Sequence, residues 1–208
     1  MTWTHRWPRY WWVSESRFLS SRYLFGIIFW LVYETMKPKD ELIRTLVRVV
    51  QARAGHEDCL NLPGWDEDCW KRLLAGAQVM VLGNGEVLMQ QDDASNDLYF
   101  LVEGMFEVAI PQSDGMTLTA LVTRSPGSVV GEIAFFDGGA RTASIWSRGK
   151  SMVLRLPEAA FRDFVKAEPK LACDVLCAIG RIVAERLRRC IGASSKGGTA
   201  RGERSEYS

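Results

Sequence analysis

Short β-type segments separated by turn sequences occupy the middle of the chain, between Ala77 and Pro157. Each apolar run is brief and ends at a cluster of Gly, Pro, Asn, Asp or Ser, which are the residues that turns favour. The clusters are Gly83-Asn84-Gly85, Asp92 to Asp97, Ser113-Asp114-Gly115, Ser125-Pro126-Gly127 and Gly138-Gly139. Short strands at this spacing are typical of a β-sandwich or barrel.

Helical patterns flank the β-type region on both sides. Apolar residues recur at helical spacing from Asp40 to Ala54, and Asp40 is a candidate N-cap. Asp66 is the candidate cap of a second helix, one side of which is lined by Trp70, Leu73, Leu74 and Ala77. The helical pattern returns from Pro157 to Arg189, where Pro169 divides it into two helices. The sequence therefore predicts an α+β fold.

The stretch from Gly131 to Ala143 places one acid and one base around a short apolar turn. Arginine presents a planar fork of donors to a phosphate, which Arg141 could supply together with the hydroxyl of Thr142. Glu132 is a natural acceptor for a ribose hydroxyl. The residues from Ile133 to Phe136 could form one helical turn with free backbone N–H groups. This pattern suits a cyclic phosphodiester.

The same stretch resembles the phosphate-binding cassette of the cyclic nucleotide-binding domain, which the catabolite activator protein, the protein kinase A regulatory subunit and cyclic nucleotide-gated channels share. The resemblance covers roughly Leu60 to Arg189. It includes Leu62-Pro63-Gly64-Trp65, Gly85 to Leu88, Leu98 to Gly104, Val153 to Pro157 and Phe161 to Pro169. It implies an antiparallel β-roll, a jelly-roll-like double-stranded β-helix, flanked by N-terminal and C-terminal helices.

The resemblance also implies how a ligand would be held. The phosphate would bind Arg141 and backbone N–H groups near Ile133 and Ala134, and Glu132 would hold the ribose. The implied binding set is Gly131, Glu132, Ile133, Ala134, Arg141, Thr142 and Ala143. The last helix would cover the base near Ile182 and Arg186, although a core isoleucine and a solvated arginine are equally good interpretations of these two residues. We expect cAMP as the ligand, with cGMP as the alternative because of Thr142.

A sensor without catalytic activity is the function that the resemblance implies. Ligand binding would shift the C-terminal helix, which would signal to an effector protein or to a second copy of the chain. We find no catalytic constellation and expect no enzyme activity. The net charge of +1 and the lack of a helix-turn-helix after Arg189 argue against direct contact with nucleic acid. The alternative is a structural or protein-interaction domain of the same fold that no longer binds nucleotide, in which Glu132 and Arg141 could pair with each other.

No metal site is expected from the five cysteines. They form an odd set without a Cys-x-x-Cys pair, and we interpret them as reduced thiols. Cys173 and Cys177 share a helix face, but the chain has only two histidines to complete a site.

The first 35 residues differ from the rest of the chain. They contain five of the eight tryptophans and the apolar run from Tyr23 to Tyr33, which is shorter than the ~20 residues of a membrane-spanning helix. Three interpretations remain open: a natural start at Met36, membrane attachment through residues 18–35, and an aromatic extension packed on the domain. We expect a cytoplasmic protein or, alternatively, one attached to the membrane and facing the cytoplasm.

The predicted organisation has four parts. The extension at 1–35 is followed by an amphipathic helix and linker at 36–59, the binding domain at 60–190 and a disordered tail at 191–208. One loop departs from the family, because Asp92 and Ser95 stand where most members have glycine. Since aspartate tolerates left-handed geometry, we expect this departure to affect the turn and to leave the cassette unchanged.

Overall fold

A computed structural model describes residues 37–56, 58–111 and 118–197 of the chain. The N-terminal extension, with the apolar segment at 18–35, lies outside these residues, as does the tail from residue 198 onward. Within the described ranges, no helix is both long enough and apolar enough to cross a membrane. All elements below belong to the unit that begins at Pro38.

Eight strands form two four-stranded sheets. One sheet has the strand order β1-β8-β3-β6 and the other has the order β2-β7-β4-β5, and every pair is antiparallel. The strands are β1 (Gln78–Leu82), β2 (Val87–Met89), β3 (Leu98–Glu103), β4 (Phe106–Pro111), β5 (Leu118–Arg124), β6 (Val129–Val130), β7 (Ser144–Ser147) and β8 (Ser151–Leu156). This architecture confirms the predicted α+β fold with a β-roll.

Strand β3 separates two hydrophobic cores because its side chains alternate between the two faces of the sheet. Leu98, Phe100 and Val102 face the larger core, which the helices cover. Tyr99 and Leu101 face the smaller core between the two sheets, inside the roll. A buried residue that contacts Tyr99 therefore lies on the inner side of the roll.

In the part of the chain that the structure describes, five helices accompany the sheets: α1 (Lys39–Ala52), α2 (Glu67–Leu73), α3 (Glu132–Asp137), α4 (Glu158–Ala167) and α5 (Pro169–Gly197). Helix α5 extends past residue 190, where the sequence placed the end of the domain. Its stripe of Val175, Ile179 and Ile182 is fully buried in the larger core. That stripe therefore packs on the domain and is not available to a second copy.

The predicted caps have different outcomes. Asp66 caps α2 as expected, because its carboxylate accepts a hydrogen bond from the Cys69 N–H at 2.8 Å. The prediction for Asp40 is wrong, since the N-cap of α1 is Pro38, whose carbonyl accepts from the Glu41 N–H. Asp40 lies in the first turn instead, where its charge complements the helix dipole.

Candidate functional site

The turn between β6 and α3 brings the cassette to the inner side of the roll. Gly131 stands at the N-cap of α3 with φ of 88°, a left-handed conformation that glycine adopts without steric cost. A Cβ atom at this position would lie 2.6 Å from Nη1 of Arg141 and 2.7 Å from the Asp97 carbonyl oxygen. Both the conformation and the close approach therefore require glycine.

Arg141 is only 2% exposed, and protein oxygens hold its guanidinium in place. Its Nε donates to the Ser95 hydroxyl at 3.0 Å. Its Nη1 donates to the Gly131 carbonyl and its Nη2 to the Asp97 carbonyl, both at 2.9 Å. The guanidinium carbon also lies 5.4 Å from the centre of the Tyr99 ring, so Arg141 projects into the roll.

All three oxygen acceptors around Arg141 are neutral. In the described part of the chain, Arg141 forms no ion pair with a carboxylate. A buried charge without a counter-charge is costly, and an anion that approaches it recovers that cost. Guanidinium has five N–H groups, so one on each terminal nitrogen remains for such an anion.

The loop from Asp92 to Asp97 is part of the site, which corrects the expectation that its departure from the family leaves the cassette unchanged. Asp92 has φ of 67°, which agrees with the left-handed geometry anticipated for it. Ser95, however, contributes the hydroxyl that binds Arg141. Sequence analysis noted that Ser95 replaces a family glycine, but it did not place this residue beside Arg141, and no signal in the sequence indicated the contact.

Glu132 is buried and pairs with helix α5. Its Oε1 lies 2.6 Å from Nη1 of Arg186, which is 15% exposed by side chain. A pairing of Glu132 with Arg141, which the alternative hypothesis allowed but did not depend on, is absent from the ion pairs of the described residues. Arg186 is therefore not a solvated arginine, and its ion pair with Glu132 joins the last helix to the cassette.

Arg186 also contacts Asp58, a buried residue ahead of the roll that sequence analysis did not identify. Its Nε and Nη2 lie 3.1 and 3.0 Å from the Asp58 Oδ1. The Arg124 guanidinium lies 3.4 Å from the other carboxylate oxygen of Asp58, and Arg189 lies 3.7 Å from Oδ1. Three guanidinium groups thus surround two buried carboxylates.

The pKa values in this cluster shift in directions that follow from burial and charge. Burial raises the pKa of Asp58, but Arg124, Arg186 and Arg189 together outweigh it and hold that pKa below its ordinary value. Burial and the neighbouring Arg186 lower the pKa of Arg124. Burial lowers the pKa of Arg186 as well, yet Glu132 and Asp58 raise it overall. Arg124 Nε is buried and has no hydrogen-bond partner.

The other predicted site residues lie around this centre. Ala134 is buried, whereas Ile133 and Thr142 are exposed and Ala143 packs partly against the smaller core. Ile182 lies in the larger core, which matches the core interpretation that the sequence left open. Of the two phenylalanines of α3, Phe135 packs against the larger core, whereas the side chain of Phe136 is exposed at the surface.

The described cysteines are unpaired thiols. Cys59 is buried, and burial raises the pKa of its thiol. Cys173 and Cys177 are exposed on α5. Among the described residues, no group of three or more His, Cys, Asp or Glu side chains is arranged to hold a metal ion.

Comparison with known families identifies the domain that this geometry builds. Residues 79–168 match the family model of the cyclic nucleotide-binding domain. This chain carries a cyclic nucleotide-binding domain. The matched range contains the cassette and both sheets except for Gln78, so the resemblance found in the sequence is confirmed over residues 79–168.

Solved structures share the fold of this cyclic nucleotide-binding domain. One from Methylobacillus flagellatus KT aligns with a TM-score of 0.62 at 18% identity, over 72% of this chain and 80% of that one. The catabolite activator protein of Thermus thermophilus aligns with a TM-score of 0.55 at 21% identity, over 66% of this chain and 62% of that one.

Among curated proteins, the neuropathy target esterase sws of Drosophila persimilis is 29% identical over 133 residues. The match covers 61% of this chain and 9% of that protein. The chain thus corresponds to a small part of the curated relatives that it matches.

Proposed function

We propose that this protein is a cyclic nucleotide sensor that binds cAMP and signals through helix α5. The observation that carries the proposal is the burial of Arg141 against three neutral oxygens. An arginine side chain keeps its positive charge in a protein. Its two remaining N–H groups are suited to two oxygens of a cyclic phosphate.

Glu132 is the proposed acceptor for the ribose 2'-hydroxyl. Its Oε1 is the oxygen that Arg186 approaches most closely, at 2.6 Å from Nη1, and Oε2 is the oxygen that we assign to the ribose. A buried carboxylate oxygen that loses its ligand donor would be costly, so the site should favour ribose over deoxyribose. In this proposal Gly131, Ile133 and Ala134 supply the close backbone approach, and Ala143 directly precedes β7, the strand that leaves the cassette.

The base preference rests on the family resemblance. Adenine is the base we propose, and Thr142 keeps guanine as the alternative because its exposed hydroxyl follows Arg141 directly. Arg186 is the proposed residue of the base lid, since it lies on the last helix and touches the cassette.

Signalling would use the contact between Glu132 and Arg186. A ligand that hydrogen-bonds to Glu132 changes the surroundings of the carboxylate with which Arg186 pairs. Such a ligand can shift the helix only if it binds one position of the helix better than the other. Helix α5 carries Arg186 on one side and an apolar surface on its outward side. A shift of this helix would therefore also move the surface that contacts a partner.

A second copy of the chain is the partner that we propose. On the outward side of α5, six residues recur at alternating spacings of four and three: Cys173, Cys177, Gly180, Ala184, Leu187 and Ile191. This is the spacing of a coiled-coil seam. Leu187 and Ile191 are 58% and 62% exposed, and nothing lies within 4 Å of a Cβ placed on Gly180. An effector protein that presents a similar helix is the alternative partner.

A thermal-shift experiment on the full chain tests the binding proposal. We expect saturating cAMP to raise Tm, by an amount set by concentration over Kd, while 5'-AMP has little effect. Arg141→Lys should remove the shift because lysine lacks the fork of donors. If cGMP alone raises Tm, the base assignment is wrong. If neither cyclic nucleotide does, the domain is a structural or interaction module.

A further inference from the structure

The ion pairs around Arg186 of α5 connect three parts of the chain. Asp58 precedes the roll, Glu132 belongs to the cassette, and Arg186 belongs to the last helix. Arg186 lies between the two carboxylates and uses different nitrogens for each: Nη1 for Glu132, and Nε with Nη2 for Asp58. Its Nη2 also donates to the Val129 carbonyl at 2.8 Å.

These contacts fix the guanidinium plane of Arg186 from three sides. Asp58 and the Val129 carbonyl engage Nε and Nη2, so Nη1 is the nitrogen that lies against Glu132, and its nearest oxygen there is Oε1 at 2.6 Å. A guanidinium that is free to turn prefers a two-bond contact with both oxygens of a carboxylate. The contact with Asp58 therefore keeps Arg186 from occupying both oxygens of Glu132.

We infer that Asp58 is a positioning residue for ribose recognition. It acts through Arg186, whose orientation leaves Oε2 of Glu132 available to the ligand. This inference rests on the proposed function, because it assigns a role to Asp58 only if Glu132 receives a ribose hydroxyl.

The charges around Asp58 support this role. Arg124 is 8% exposed and its ion-pair partner is Asp58, at 3.4 Å. With the negative charge of Asp58 removed, Glu132 would be the remaining carboxylate of the cluster, and it would interact with both Arg124 and Arg186. Opposite charges in a buried site attract strongly. Arg186 would then move onto Glu132 and compete with the ligand for it.

Discrimination between cAMP and 2'-deoxy-cAMP by the full chain tests the inference. The wild type should bind cAMP at least about tenfold more tightly, since the deoxy ligand leaves a buried acceptor unpaired. In Asp58→Asn this ratio should fall below about threefold, through weaker cAMP binding, while the affinity for the deoxy ligand stays within about threefold of wild type. A general loss of structure would lower the affinity for both ligands equally.

Two further variants keep the test decisive. Arg186→Lys retains the charge but cannot hold both carboxylates, so it should lose the same discrimination and decides the matter if Asp58→Asn does not fold. Asp163→Asn is the matched control, because Asp163 pairs with Lys166 on the exposed face of α4 at 2.9 Å. It should leave both affinities unchanged.

Each outcome bears on a distinct claim. A wild type that binds neither cyclic ligand overturns the proposed function, and the role of Asp58 with it. A wild type that binds both ligands equally overturns the role of Asp58 and leaves cyclic nucleotide binding intact. If the wild type discriminates and Asp58→Asn or Arg186→Lys retains the full ratio, Asp58 is a structural residue only.

Discussion

The Gly131 carbonyl accepts a hydrogen bond from Nη1 of Arg141 at 2.9 Å, and the same glycine leaves no room for a side chain beside that nitrogen. The residue that starts the cassette helix therefore also holds the arginine that follows the helix. The two ends of the cassette are thus joined by a hydrogen bond from a charged group to a neutral oxygen, and not by an ion pair.

Gly131→Ala should reduce stability and abolish cyclic nucleotide binding. The added Cβ meets Arg141 Nη1 at 2.6 Å and stands at φ of 88°, so we expect a loss of at least ~2 kcal/mol in the free energy of unfolding. Gly138→Ala is the control. Gly138 also has positive φ, but nothing lies within 4 Å of its added Cβ, so its loss should be only about 1 kcal/mol. Urea denaturation measures both, and equal losses would contradict the steric argument.

Ser95→Ala should weaken nucleotide binding without removing it. The variant loses one of the three hydrogen bonds that orient Arg141, which corresponds to about 0.5–1.5 kcal/mol. We expect Kd for cAMP to rise roughly three- to tenfold in calorimetric titration. Ser95→Thr keeps a hydroxyl and should retain most of the affinity. An unchanged Kd in the alanine variant would show that the other two acceptors suffice.

Asp97→Asn should affect stability more than binding. The Asp97 carboxylate pairs with Arg155 at 2.6 Å and accepts from the Glu158 N–H at 3.1 Å at the start of α4, whereas Arg141 uses the Asp97 backbone carbonyl. Because Arg155 is partly exposed, we expect a loss of about 1–2 kcal/mol in unfolding free energy. The Kd for cAMP, measured well below Tm, should stay near the wild-type value. A large rise in Kd would mean that the side chain also fixes the position of the carbonyl.

Acidification should reduce the contribution of Asp58 to stability. Its pKa in the folded protein lies below the unfolded value of about 3.9, so its contribution is present above that value and disappears as the pH falls through the folded pKa. Asp58→Asn should be less stable than wild type at pH 7, and the difference should narrow below pH ~4. Urea melts of both proteins from pH 7 to pH 3 give this difference directly. If the difference in unfolding free energy between wild type and Asp58→Asn stays constant with pH, the charge of Asp58 is not what stabilises the fold.

Substitutions on the outward seam of α5 test self-association. Leu187→Glu combined with Ile191→Glu introduces charges on the two most exposed apolar side chains of that face. If two copies pair there, sedimentation should change from a dimer to a monomer while the unfolding profile of the monomer is retained. Val165→Glu, on the exposed face of α4, is the control and should not alter the sedimentation. A wild type that sediments as a monomer at all concentrations would overturn the pairing.

Local patterns predicted much of the fold. Turn clusters, alternating apolar residues and the cap at Asp66 are signals within a few residues of one another, and the strands and helices that they indicate are present. The cassette was predictable for the same reason, since Gly131, Glu132 and Arg141 lie in one short stretch.

The contacts that complete the site could not be predicted in this way. Asp58 and Arg186 lie 128 residues apart in the sequence, and they meet only because α5 packs its buried stripe against the larger core. The position of Ser95 beside Arg141 likewise depends on the path of the loop after β2. Both contacts follow from tertiary packing, to which single-sequence patterns are blind.

The three oxygens that hold Arg141 have a consequence for the speed of recognition. These oxygens belong to the protein itself, so the side chain of Arg141 loses its conformational entropy when the protein folds and not when the ligand binds. Capture of a nucleotide then requires no rearrangement of its main anchor. Chemical changes to the phosphate should therefore alter the residence time of the ligand far more than its association rate.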